Sequence, residues 1–144
     1  MTKEEYINYA EDIAKKSHCV SHKVGAVIVK NGSIVSVGIN GTPAGFTNCD
    51  EVFKEEFDRK THHEFSEKFE IHAEMNAILN AAKNGVSVKD AEIYLTLHPC
   101  NNCLKMLCNA GIKAIYYKNE YDLFDADPDL DKMLEFCKIK MEKI

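Results

Sequence analysis

The strongest constraint on the fold comes from residues 24–39. Val24-Gly-Ala-Val-Ile-Val29 is an apolar run of strand length, Asn31-Gly32 is a turn pair, and Ile34 to Ile39 reads as a returning strand. Asn and Gly tolerate the positive φ angles that a tight turn between twisted strands requires, so this segment predicts a β-hairpin. Helical signals surround it. Ile7, Ala10, Ile13 and Ala14 recur at helical spacing within residues 4–16, with acids early and lysines late, as the helix dipole favours. His72 to Lys83 (HAEMNAILNAAK) is rich in helix formers, and Asn84-Gly85 closes it. Glu92 to Leu97 alternates as a strand, Pro99 sits where a helix would begin, and Cys103 to Ala110 continues that helix. Ile112 to Tyr117 reads as a further strand, residues 129–137 as a helix, and the tail as a weak strand or coil. The turn-forming stretch NGTPAG (Asn40–Gly45) leaves the second strand, and residues 46–68 show no clear period. They read as a long loop with one helical stretch, and long loops in compact domains are often functional.

Two β-α-β steps after a hairpin predict an α/β domain whose mixed sheet has parallel neighbours late in the chain and helices on both faces. With 144 residues and no repeat or linker, residues 1–144 are expected to form a single domain. The net charge of -5 argues against a surface that holds a nucleic-acid backbone, while small anionic molecules held by a few local cations remain open. No apolar run is long enough to span a bilayer and the first residues lack a signal-peptide core, so no membrane association and a cytoplasmic location are expected. In that reducing compartment the six cysteines point to metal binding or burial rather than disulfides. Cys108 and Cys137, in apolar surroundings, are expected to pack in the core.

The chemistry concentrates in His72-Ala-Glu74 and Pro99-Cys100-Asn-Asn-Cys103. A CxxC at a helix start brings two thiolates together beside amide N–H groups that favour their charged form. With His72 as third ligand, a tetrahedral zinc keeps one position open for water and acidifies it, which marks a catalytic rather than structural site. Glu74, two residues from His72, can reach that water without ligating, as the base and acid that moves protons. The order H-x-E…P-C-x-x-C is the signature of zinc deaminases. A structural half-site or a redox pair would explain the CxxC alone, but neither explains Glu74.

Five segments carry a closer resemblance: Ser17 to Val29 (SHCVSHKVGAVIV), Gly38 to Gly45 (GINGTPAG), Asn48-Cys49, Glu70 to Ile78 (EIHAEMNAI) and Pro99 to Cys103. Together they resemble deoxycytidylate deaminases, most closely the phage type, over nearly the whole chain. The NGTPAG…NC stretch separates the chain from tRNA adenosine and guanine deaminases. Ile39 departs from the family, which usually has Tyr there. The resemblance implies the three-layer α/β/α cytidine-deaminase-like fold with a mixed sheet of about five strands. It implies hydrolysis of dCMP to dUMP and ammonia, feeding dTMP synthesis, by a homohexamer activated by dCTP and inhibited by dTTP with Mg2+. It also implies substrate contacts from Asn40 and Tyr121, though a turn residue and a strand-end aromatic explain these equally well. Lys23, Lys83 and Lys118 are candidates for the cation that meets the phosphate. Similar phage-type enzymes carry a second, structural zinc on two Cys, a His and a carboxylate, which maps to Cys19, Cys49, His62 and Glu70. His18, His22 or His63 could stand in for His62, and two buried free thiols beside a solvated His pair would explain the same residues. His98 reads as a pocket wall or surface residue. Two other functions stay open: a deaminase of other nucleosides or nucleotides, and a zinc-stabilised nucleotide sensor without catalysis.

Overall fold

The computed structural model describes residues 1–54, 56–120 and 127–144. The hairpin forms as expected, from β1 (Gly25–Lys30) and β2 (Ser33–Ile39), with Asn31 and Gly32 both at positive φ. It joins β3 (Glu92–Leu97), β4 (Ala114–Asn119) and β5 (Lys140–Lys143) in one five-stranded sheet of order β2-β1-β3-β4-β5. β1 is antiparallel to both β2 and β3, whereas β3, β4 and β5 run parallel. Each parallel step is bridged by a helix, as crossover geometry requires. These helices are α5 (Asn101–Ala110) and α6 (Pro128–Phe136).

Because successive strand side chains face opposite ways, each strand feeds two cores. Ala26, Ile28, Ile93, Leu95 and Ile115 pack on one face against Leu104 and Leu107 of α5, Leu134 of α6, and Ala73 and Ala77 of α4 (Ala73–Lys83). Val27, Val29, Tyr94, Ala114 and Tyr116 face the other way, against Tyr6, Ile7 and Ala10 of α1 (Lys3–Ala14). The result is the three-layer α/β/α arrangement. α1 begins with a capping box between Thr2 and Glu5, a signal for its start.

Two expectations change. Residues 46–68 hold not one helical stretch but two helices, α2 (Cys49–Val52) and α3 (Arg59–Phe69). Of α3 only His62 is buried, so the helix leaves no apolar period to read. The tail, read as a weak strand or coil, forms the strand, an edge β5 whose residues are at most half buried. Cys108, half buried, packs against the core as expected, whereas Cys137 is exposed, because the last turn of α6 runs off the core and leaves Phe136 88% exposed. Among the described residues no helix is long and apolar enough to cross a membrane.

Candidate metal centre

The start of α4 is fixed by its neighbours. Asn76 and Asn80, one turn apart, donate from Nδ2 to the carbonyls of Ile39 (2.8 Å) and Val37 (2.9 Å) on β2. Ser36 Oγ returns a bond to the Ala77 carbonyl at 2.7 Å. Such polar side chains inside a helix are explained by this stitching to a strand edge. Gly38 lets the two backbones meet: a Cβ there would overlap the Ala73 carbonyl oxygen and the Ala77 backbone. Just before the helix, Ile71 exchanges two backbone hydrogen bonds with Gly41, 3.0 and 2.8 Å, in the loop that leaves β2. His72 is therefore presented as the N-cap of α4, and Cys100 as the N-cap of α5.

These two helix starts converge. His72 Nδ1 lies 3.5 Å from Cys100 Sγ and 3.4 Å from Cys103 Sγ. A tetrahedral zinc with ordinary Zn–S and Zn–N bonds sets S and N about 3.5 Å apart, so the donors already stand at ligand spacing. The Cys100 thiol is held well below its ordinary value, to about 4, by the hydrogen bond from the Cys103 thiol and then by His72. Cys103 is pushed up as the donor of that bond, and His72 is raised by its bond to Cys100. Cys103 is buried, Cys100 half buried and His72 exposed, so the cluster is closed behind and open in front. Glu74 sits in the first turn of α4, 3% exposed, and burial pushes its carboxyl up to about 7. A carboxyl poised near neutrality beside an open three-donor set suits proton transfer.

A second cluster has its last member, Glu70, two residues before His72. Cys19 (between α1 and β1), Cys49 (first residue of α2), His62 on α3 and Glu70 (C-cap of α3) place four donor atoms within 4.8 Å of one another. His62 Nε2 is 3.3 Å from Cys49 Sγ, 3.8 Å from Cys19 Sγ and 3.4 Å from Glu70 Oε1. Burial pushes the Cys19 thiol up and the Cys49 thiol to about 12, outweighing the backbone hydrogen bonds that favour their charged forms. Glu70 Oε2 is buried with no hydrogen-bond partner, a costly state for a carboxylate. A cation among four closely spaced donors would satisfy all of them, so this donor set fits a closed, four-coordinate zinc. His62, not His18, His22 or His63, is the histidine brought to it; His18 pairs with Asp50 and His63 with Glu67.

A cleft of about 430 Å³ runs past both clusters, lined among others by Val24, Asn40, His72, Glu74 and Leu97. Asn40 is in its wall, with Nδ2 donating to the His22 carbonyl (2.7 Å) and Oδ1 accepting from Val24 N (2.9 Å). The amide is held rigid yet keeps one N–H and one lone pair for a ligand. Tyr121 lies outside the described residues. Of the three lysines, Lys118 is tied to Glu11 at 2.7 Å, and Lys83 closes the far end of α4. Lys23 falls between two cleft-lining residues, His22 and Val24. His98 is buried, its Nδ1 bonded to the Pro99 carbonyl at 2.8 Å, so it supports the turn into Cys100 rather than the surface. Among the cleft residues that sequence reasoning missed is Arg59, whose only signal was that the chain contains a single arginine.

Residues 1–119 match the family described as the cytidine and deoxycytidylate deaminase zinc-binding region. The chain is 41% identical to the deoxycytidylate deaminase of Enterobacteria phage T2, with 76% of each chain covered. It is 39% identical to that of phage T4, covering 76% of this chain and 74% of the other. Among solved structures it is similar to the dCMP deaminase of cyanophage S-TIM5 in complex with dCMP and dUMP. That similarity has 39% identity and a TM-score of 0.77, over 99% of this chain and 96% of the other.

Proposed function

The chain belongs to the cytidine and deoxycytidylate deaminase family, and on that premise we propose that it hydrolyses dCMP to dUMP and ammonia. The observation that carries this reading is the open-fronted set of His72, Cys100 and Cys103 with buried Glu74 beside it on one cleft. The similarity to a phage enzyme crystallised with dCMP and dUMP supports the choice of base and sugar. His72, Cys100 and Cys103 hold a zinc whose chemistry, when bound, is Lewis-acid activation of water.

The remaining work falls to side chains. Glu74 accepts a proton from the attacking water and passes it to ring nitrogen N3, which makes carbon C4 electrophilic. Oxygen adds at C4, Glu74 takes the remaining proton from the new C4 hydroxyl and delivers it to the amino nitrogen, and the C4–N bond breaks as C4=O forms and ammonia leaves. A carboxyl near neutrality suits both directions of transfer, since it is neither too weak a base nor too weak an acid. Asn40, pinned by two backbone bonds, orients the nucleoside, and Tyr121 is its proposed companion contact. Cys19, Cys49, His62 and Glu70 hold a second, structural zinc that braces the segment leading into His72.

Family membership also supports residues 1–144 acting as one domain in a cytoplasmic homohexamer. It supports control by dCTP and dTTP with Mg2+, and dUMP passing to dTMP synthesis. Purified protein given dCMP, deoxycytidine, CMP and adenosine is expected to deaminate dCMP best, followed by ultraviolet absorbance. If dCMP stays untouched with zinc, dCTP and Mg2+ present, the reading fails.

A further inference from the structure

We propose that Arg59 is the cation that grips the 5′-phosphate, and so sets the preference for a nucleoside monophosphate over the free nucleoside; the dCMP reading above is its premise. Arg59 is the only arginine in the chain, and it lines the same cleft as His72 and Glu74. Among the described residues it has no ion pair or hydrogen-bond partner. The adjacent Asp58 carboxylate is instead engaged by Thr61, as the N-cap of α3.

The helix that carries Arg59 is built to hold it there. Arg59, His62, Ser66 and Glu70 follow at helical spacing and all line the cleft. His62 and Glu70 belong to the four-donor cluster, which anchors α3 one turn beyond Arg59 and again at its C-cap. Ser66 and Ser21 line the same cleft and offer hydroxyl donors there. A planar guanidinium meets two phosphate oxygens at once, which a lysine ammonium cannot do.

The charge balance favours such a residue. The chain carries a net -5, and the cleft is lined by Glu70 and Glu74, so a cation outside the two donor sets would help receive a dianionic phosphate. Lys118 is committed to Glu11, and Lys83 stands at the opposite end of α4 from His72. Lys23 flanks the cleft without lining it, and it is the natural control.

The test uses the full-length, zinc-loaded protein. In Arg59→Ala, KM for dCMP should rise about ten- to hundredfold with kcat within about threefold, because a charge-assisted bond made equally in ground and transition states is lost. The preference for dCMP over deoxycytidine should fall by the same factor, and Arg59→Lys should recover part of it. Calorimetric titration should show dUMP binding to Arg59→Ala weakened in proportion, with deoxyuridine binding unchanged. An unchanged preference, equal losses for both substrates, or a collapse in Lys23→Ala instead would overturn the assignment. Wild-type protein that leaves dCMP untouched, while dUMP binding still depends on Arg59, would defeat the dCMP reading and leave the role of Arg59 standing.

Discussion

Glu74 is an acid in the wrong place for stability and the right place for chemistry. It is 3% exposed, and burial raises its carboxyl to about 7 rather than leaving it ionised on the surface. A group held at such a cost is expected to repay it in the reaction. Glu74→Gln keeps the size and packing and removes only the transferable proton. We expect this variant to retain its zinc, by atomic absorption, and to lose about 10²–10⁴ in kcat. Retained turnover would remove Glu74 from the role assigned to it. His98 teaches the complementary lesson at the same scale: a histidine beside the CxxC is a buried prop bonded to the Pro99 carbonyl.

At the scale of elements, the pairing of α4 with β2 positions the site. Asn76, Asn80 and Ser36 stitch them together, and Gly38 allows their backbones to touch. Gly38→Ala forces a methyl group into the Ala73 carbonyl and the Ala77 backbone, neither of which is a flexible end that can swing aside. The helix must shift, carrying His72 and Glu74 with it. A loss of about 1–3 kcal/mol is expected from denaturant melts, with a larger proportional loss of turnover. An unchanged melt would show that α4 tolerates the displacement. How far these elements could be read beforehand followed their source of order. The hairpin, α4, β3 and α5 were legible because apolar period, Asn-Gly turn and helix-closing glycines all point one way. The catalytic donors were legible because His72 and Cys100–Cys103 stand at helix starts. α3 was not legible, because His62 is its only buried residue and its order comes from donor atoms rather than an apolar face. For the same reason Arg59 passed unnoticed: its importance depends on which way α3 faces, and no pattern within Arg59–Phe69 fixes that.

The molecule as a whole is organised by a short segment shared between two donor clusters. Glu70 belongs to one cluster, His72 to the other, and Ile71 between them is clamped to Gly41. Around the first cluster lies a broad core, whereas among the described residues the apolar cluster at the second is small, made of Cys19, Cys49 and Phe53 with the partly buried Val20, Phe57 and Phe65 against it. So small an apolar cluster does little to offset the entropy of ordering α2 and α3, and the proposed second zinc would add metal–ligand bonds to it. The protein as purified should then contain about two zinc per chain, and Cys49→Ser about one. Hydrogen exchange locates the consequence. Amides of α3 should exchange much faster in Cys49→Ser, while those of α4, held by β2 and the main core, should stay protected. A count near one zinc in the unmutated protein would eliminate the second site. Equal loss of protection in α3 and α4 would show that the two metals stabilise a single unit, with the catalytic helix unfolding whenever the brace is removed.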